Sequence, residues 1–159
     1  MNFARLRDIF ENNTGVTSEV DDIQLAFWFN EAMLDLAYDL GEIKSAALNT
    51  GDALPGDCLK VTGGNRLGAD GKVINSGTVY YRSMPEDLTG AENEEPTLHK
   101  ATHYLLPLFA CYRYWLKESE GDAEEIGLAN YWLGLYQQGK QNTINKLSSV
   151  ISPDRWTIE

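Results

Sequence analysis

The sequence lacks the features that mark several protein classes. No apolar run approaches the roughly 20 residues that a membrane-spanning helix needs. The first eight residues lack the apolar core of a signal peptide, so we expect the protein to act in the compartment where it is made. Only two cysteines are present, Cys58 and Cys111, in different predicted elements. Two cysteines do not make a disulfide framework, and we expect reduced, partly buried thiols.

Basic residues are scarce relative to acidic ones. The chain has 13 Lys and Arg against 24 Asp and Glu, which gives a formal net charge of −11. Such a charge opposes binding to DNA phosphates and docking on an anionic membrane. With 159 residues, of which 43% are hydrophobic, the chain is long enough for one domain with an ordinary core.

Motifs for nucleotide and metal chemistry are also missing. No Gly-rich loop leads into Lys-Ser or Lys-Thr, and the glycines over 63–71 do not open a helix after a strand, so no nucleotide site is predicted. His99 and His103 have the i, i+4 spacing of a two-histidine metal pair, but only Glu94 and Glu95 stand near them in sequence. We therefore expect these histidines to be structural and the protein to hold no metal ion and no cofactor.

Three pairs of neighbouring acids could supply acid–base groups in a glycosidase-like site. They are Asp21-Asp22, Glu94-Glu95 and Glu124-Glu125. Acids at the start of a helix are normally solvated and favoured by the helix dipole. We therefore expect no catalytic residues.

The segment from Thr97 to Leu147 predicts two long helices folded back on each other. Apolar residues recur every three or four positions in both halves, at Leu98, Ala101, Leu105, Leu108, Tyr112 and Trp115, and then at Ile126, Ala129, Trp132 or Leu133, Tyr136, Thr143, Ile144 and Leu147. Gly121 ends the first helix and Asp122 begins the second, so the two are antiparallel neighbours. Pro107 indicates either a kink, or a short helix over 98–102 followed by a separate one.

Two more helices are predicted before this hairpin. A short amphipathic helix covers residues 2–12, and a long one runs from about Glu19 to Leu40 behind a Ser18/Asp21 capping box. The predicted inward face of the long helix is Ile23, Ala26, Phe27, Asn30, Met33, Ala37 and Leu40. Further apolar residues widen this surface, which is typical of a helix with neighbours on more than one side. We expect Asn30 to cap or bridge backbone groups.

A β-hairpin is predicted between the two pairs of helices. Residues 58–62 and 78–82 alternate as antiparallel strands do, and the glycine-rich loop over 63–77 separates them, with a possible short strand at 72–74. An exposed loop of this kind is more often functional or mobile than structural.

The predicted fold class is mainly α: a helical bundle with an inserted antiparallel β-hairpin and an extended C-terminal tail. One helical domain covers 1–148, with the hairpin inserted at about 57–83, and the tail covers 149–159. Pro153 stops any helix, and Trp156 has no apolar stripe to join. The tail therefore either packs on the core or is reserved for a partner.

The order of these elements resembles that of the head-tail connector, or adaptor, proteins of tailed phages. Residues 29–32 (Phe-Asn-Glu-Ala), followed by an apolar turn, are similar to a Leu-Asn-Glu-Ala that recurs in the early helix of that family. The aromatic-rich segment 103–117, the polar turn 121–124 and the Tyr-bearing stretch 131–136 resemble its second signature. The glycine-rich loop lies outside the resemblance.

The resemblance implies a structural virion protein of the head-tail neck, assembled in the host cytoplasm. Its partners would be the portal protein, a stopper or tail protein, and copies of itself in a ring of twelve. Double-stranded DNA would pass through the channel without sequence-specific binding, and no membrane is involved. By family analogy the C-terminal tail docks on the portal, and the loop faces a ring neighbour or the tail-side partner. The candidate interface residues are Pro153, Arg155, Trp156 and Ile158 in the tail and Arg66 and Leu67 in the loop.

Three alternatives remain open from the sequence. A stopper or tail-completion protein shares the same gross properties. A neck protein with cell-wall hydrolase activity would use one of the acidic pairs. A helical interaction module unrelated to phages would behave as a strict monomer.

Overall fold

The computed structural model describes residues 1–64 and 66–151, with side chains up to residue 147. This part of the chain is a mixed α/β fold with four α-helices and one three-stranded antiparallel sheet. The helices are α1 (Phe3–Thr14), α2 (Asp22–Leu40), α3 (Leu105–Glu118) and α4 (Ala123–Ile151), and the strands are β1 (Ile43–Leu48), β2 (Cys58–Gly64) and β3 (Gly77–Ser83). The predicted helices and antiparallel insertion are confirmed, but the insertion is a sheet and not a simple hairpin.

Side-chain caps fix where the first two helices begin. The side chain of Asn2 accepts a hydrogen bond from the Arg5 backbone N–H at 3.1 Å, and that of Asp21 accepts from the Gln24 N–H at 2.7 Å. Each bond satisfies a donor that the first helical turn would otherwise leave unpaired. α2 therefore begins at Asp22 and not at about Glu19, and Asp21 is its cap without Ser18.

The buried face of α2 differs from the predicted one. Its buried residues are Leu25, Ala26, Trp28, Phe29, Ala32, Met33, Leu36, Ala37 and Leu40. Ile23 and Phe27 were predicted to point inward, but they are 78% and 54% exposed. The prediction is wrong for these two because α2 has more apolar residues than one face can hold, and the positions of α1 and α3 select which of them are buried. Phe29 packs edge-on against Phe3 of α1, with ring centroids 5.6 Å apart.

Asn30 joins α2 to the connector that precedes α3. Its Nδ2 donates to the Leu88 carbonyl at 3.0 Å, and its Oδ1 accepts from the Leu88 N–H at 2.8 Å. One side chain thus satisfies both backbone groups of a residue that is buried in the core. The predicted bridging role of Asn30 is confirmed.

β3 is the central strand of the sheet, with β1 and β2 antiparallel on either side. The predicted β2–β3 pairing is confirmed, with Val61 opposite Tyr81. The sequence reading missed β1, because its residues Ser45, Ala46 and Ala47 have weak strand preference. Across the sheet, the Lys44 ammonium lies 2.9 Å from the Asp57 carboxylate, and this hydrogen bond is the main cause that lowers the pKa of Asp57.

α3 and α4 form the predicted antiparallel hairpin. Tyr104, at the start of α3, contacts Gly139 and Thr143, whereas Phe109 further along α3 contacts Tyr136, so the helices run in opposite directions. Asp122 caps α4 by accepting from the Glu124 and Glu125 N–H groups at 2.8 and 3.4 Å. Ile126, predicted to lie inside, is 37% exposed at the first turn of α4, before the helix reaches the core.

Pro107 does not kink a long helix. A short 3-10 helix (Lys100–Thr102) comes first, and α3 begins separately at Leu105. Pro107 therefore lies in the first turn, where its missing N–H breaks no helical hydrogen bond. At the other end of the hairpin, α4 continues to Ile151, beyond the predicted start of the tail at Ser149.

Candidate interaction surfaces

Two of the acidic pairs considered as acid–base groups have structural partners. Asp21 caps α2, and the Asp22 carboxylate lies 3.2 Å from Nε of Arg7. Glu94 holds a turn, because its carboxylate accepts hydrogen bonds from the Thr89 hydroxyl and from the N–H groups of Thr89, Gly90 and Ala91. The hydrogen bond from the Thr89 hydroxyl is the main cause that lowers the pKa of Glu94. A general acid needs the opposite shift.

The two histidines have different surroundings. His103 is buried, with Nε2 3.0 Å from the Leu98 carbonyl and Nδ1 2.8 Å from the amino nitrogen of Met1. His99 is exposed and its Nδ1 accepts from the Ala101 N–H at 3.2 Å. No group of three or more His, Cys, Asp or Glu residues with the geometry of a metal site occurs within the described ranges.

Burial makes His103 a source of acid sensitivity. Desolvation is the main cause that lowers the pKa of His103 below its ordinary value of 6.5. The unfolded chain therefore binds this proton before the folded one, and we expect the free energy of unfolding to fall below about pH 6.5, by up to about 1 kcal/mol per pH unit. Urea unfolding at pH 7.5 and 5.5 would measure the effect. His103→Gln should reduce the difference between the two pH values and His99→Gln should not; equal reductions would contradict the assignment.

The candidate interface residues in the loop lie on a small folded unit. Leu67 forms an isolated antiparallel bridge with Val73, and the Arg66 carbonyl accepts from the Ile74 N–H at 3.1 Å. Val73 is buried and exchanges backbone hydrogen bonds with Gly51 and Asp52 in the turn between β1 and β2. The loop is thus anchored by its backbone, with the Arg66 side chain exposed. Pro153, Arg155, Trp156 and Ile158 lie outside the described residues.

One exposed apolar surface centres on α2. We call it the α2 band, and it consists of Ile23, Phe27, Leu34 and Tyr38 on α2, Met84 after β3, and Leu116 on α3. At 100° per residue, the four α2 positions fall within an arc of about 60°. The six side chains are between 42% and 78% exposed. This corresponds to roughly 600 Å² of apolar surface, the upper end for a monomer and typical of an interaction site.

Two grooves meet at Phe27 within this band. One, of about 360 Å³, is lined by Gln24, Phe27, Trp28, Arg113, Leu116 and Lys117. The other, of about 350 Å³, is lined by Phe27, Asn30, Glu31, Leu34, Met84, Pro85 and Asp87. Arg113 and Glu31 pair at 3.1 Å beside Phe27. The band is therefore indented on both sides of one exposed aromatic ring, with charged groups at its rim.

A separate apolar cavity lies between the end of α2, the start of β1 and α4. Its volume is about 490 Å³, and its apolar lining comes from Leu40, Ile43, Leu98 and Leu147. Asp39, Glu42 and Arg82 stand at its polar edge, where Arg82 donates to the Gly41 carbonyl at 2.7 Å. The cavity has the size and polarity to accept an apolar side chain from a partner.

A second exposed apolar surface lies on the N-terminal half of α4. Leu128 and Tyr131 are 38% and 58% exposed, and the half-buried Leu135 follows on the same helical face. Gly127 and Gly134 are exposed and flank Tyr131, about one helical turn before it and one turn after it. We call these five residues the α4 outer face. The inner side of α4 is held to α2 by Lys140, whose ammonium lies 3.0 Å from Asp35.

Neither surface was identified as a unit from the sequence. A signal was present on α2, where apolar residues outnumber the positions of one face. The apolar pattern of a helix shows how wide its apolar surface is. It does not show which of those residues are buried by other elements of the same subunit.

No protein-family model matches this sequence, and a search of curated proteins gives no significant match. Among the described helices, none combines the length and apolarity that crossing a bilayer requires.

Proposed function

We propose that this chain is a non-catalytic connector of a tailed-phage neck, which forms a ring under the portal and joins it to the next neck or tail component. The resemblance described above supplies the family. The observation that carries the proposal is the α2 band, because six exposed apolar side chains on one face are what a subunit of a ring needs. Helices with an antiparallel β insertion and a long helical hairpin also agree with the connector order of elements.

The charge of the chain suits a channel through which DNA moves. Twelve copies at −11 each would carry roughly −130. A strongly acidic wall repels a phosphate backbone and does not grip it, which favours passage over binding. In this proposal the protein acts in the virion neck, after assembly in the host cytoplasm.

Two segments are assigned to partners in this proposal. The extended tail, with Pro153, Arg155, Trp156 and Ile158, docks on the portal. The folded loop with Arg66 and Leu67 faces a ring neighbour or the tail-side partner, since its backbone is held while the Arg66 side chain is exposed. Neither contact uses a cofactor.

Electron microscopy of the purified chain mixed with the portal protein of the same phage tests the proposal. We expect an additional ring of density at the narrow end of the portal, with stoichiometric co-elution in size-exclusion chromatography. The chain alone and the portal alone are the controls. If the two proteins stay separate at micromolar concentrations, the connector assignment is wrong.

The same experiment separates the alternatives. A stopper would bind the portal only after another neck protein has been added. A cell-wall hydrolase would release peptidoglycan fragments, and this activity would be lost when one carboxylate of an acidic pair is replaced by an amide.

A further inference from the structure

No contact inside the described part of the subunit requires a glycine at position 127 or position 134. A Cβ atom at either position would meet no atom within 4 Å. At Gly139, in contrast, a Cβ would lie 2.5 Å from Cδ2 of the buried Leu105, so a side chain there would force Leu105 of α3 to move. Glycine is the least favourable helix residue apart from proline. The helix α4 thus carries two glycines that weaken it, and both are on its outer face.

These glycines match the α2 band in spacing. Gly127 and Gly134 are seven residues apart, as are Phe27 and Leu34, which corresponds to about 10.5 Å along each helix. Seven residues are close to two helical turns, so each pair lies on one face of its helix. Bulky side chains on one surface and missing side chains on the other therefore recur at the same interval.

We propose that the α2 band of one copy packs on the α4 outer face of the next copy, with Phe27 over Gly127 and Leu34 over Gly134. The two helices run parallel in this contact. The absence of a Cβ at each glycine lets a large side chain approach the backbone closely. A second copy of this chain is thus the occupant of the α2 band. That such contacts close into a ring rests on the proposed function.

Charge complementarity favours the parallel arrangement. Gln24 shares the first groove with Arg113 and Lys117, and Gln24 precedes Phe27 by three residues, as Glu124 precedes Gly127. Parallel helices thus bring the acidic first turn of α4, with Glu124 and Glu125, beside Lys117. An antiparallel contact on the same glycines would place Glu124 opposite Ala37, about 20 Å further along α2 from Gln24. In a chain with a net charge of −11, attraction at this point offsets part of the repulsion between copies.

The area and the symmetry of the contact also suit a ring. The exposed part of the α2 band alone offers roughly 600 Å², most of the 800 Å² or so that one partner buries in a standard interface. The two surfaces are different, so the contact is head-to-tail and leaves each surface free to bind another copy. Contacts of this type close into rings when the rotation permits.

We expect two substitutions, Gly127→Leu and Gly134→Leu, to stabilise the monomer and at the same time to weaken assembly. Each substitution should raise the melting temperature of the monomer by about 2–4 °C, because leucine favours the helix and meets open space. In the double variant, ring formation on the portal and self-association in sedimentation velocity should both fall by at least tenfold. Gln137→Leu, an exposed position about 60–80° around α4 from the two glycines and beyond the α4 outer face, is the matched control and should leave assembly unchanged. Assembly equal to wild type in the double variant would overturn the proposal.

A cysteine cross-link reports the contact directly. Chains with Phe27→Cys are mixed with chains carrying Gly127→Cys, both with Cys58→Ser, and oxidised at several protein concentrations with and without portal. Disulfide-linked mixed dimers should exceed by at least fivefold the dimers that either chain forms alone. Dimers from the Phe27→Cys chain alone would indicate that two α2 bands face each other and would overturn the proposal, as would no cross-link under any of these conditions.

The cross-link and the portal experiment can fail separately. Mixed dimers without portal binding would support this contact and contradict the connector function. A ring on the portal without the mixed dimer would support the function and contradict this contact.

Discussion

Phe29→Ala is expected to lower the free energy of unfolding by about 3–5 kcal/mol, a large part of the stability of one domain. Phe29 is fully buried on α2 and packs edge-on against Phe3. Removing its ring leaves a cavity between α1 and α2, because the surrounding helices relax only partly. Urea unfolding monitored by circular dichroism would measure the change.

Phe27→Ala is the matched control, since the same atoms are removed from the same helix only two positions away. Phe27 is 54% exposed, so we expect a loss of no more than about 1 kcal/mol. The helical period alone predicts the reverse order, with Phe27 inside. If Phe27→Ala lowered the free energy of unfolding more than Phe29→Ala does, the assignment of which face of α2 points into the core would be wrong.

Trp156→Ala is expected to weaken binding to the portal by at least thirtyfold, which is the loss of about 2 kcal/mol that defines an interface hot spot. Tryptophan is the residue type with the largest apolar surface to bury, and the sequence offers Trp156 no helical stripe of its own. Surface plasmon resonance with immobilised portal would give the two dissociation constants.

Tyr80→Ala serves as the control for Trp156→Ala, because Tyr80 is an exposed aromatic residue on the sheet. It should bind the portal as the wild type does. If Trp156→Ala bound the portal as tightly as the wild type, the tail would not be the docking segment. The proposed contact between copies would be unaffected by that result. Equal losses in both variants would indicate a nonspecific effect of removing aromatic surface.

The elements that the sequence predicted best are those fixed by local chemistry. Asp122 and Gly121 mark a turn between two periodic segments, and the structure has α3 and α4 on either side of it. Asn30 was assigned a backbone-bridging role because an amide amid apolar residues needs partners, and it bridges Leu88. In these cases a few neighbouring residues carry the information.

The predictions that failed depended on distant parts of the chain. Nothing in the residues 43–48 alone indicates a strand, because β1 exists through its pairing with β3, whose residues lie 29 to 39 positions further along the chain. Likewise, the exposure of Ile23 and Phe27 follows from where α1 and α3 lie and not from the pattern of α2. The α4 outer face went unnoticed for a related reason: an unexplained glycine is recognised only when its surroundings are known.

The central position of β3 has a consequence for the order of events during synthesis. Both outer strands hydrogen-bond to β3, and β3 is the last of the three in the chain. β1 and β2 therefore leave the ribosome without a partner and wait until residue 83 has emerged. Helices α1 and α2 precede them and can form by local contacts at once. A pause while residues 64–77 are leaving the ribosome would prolong the time in which two unpaired strands are exposed, and a pause after residue 83 has emerged would not.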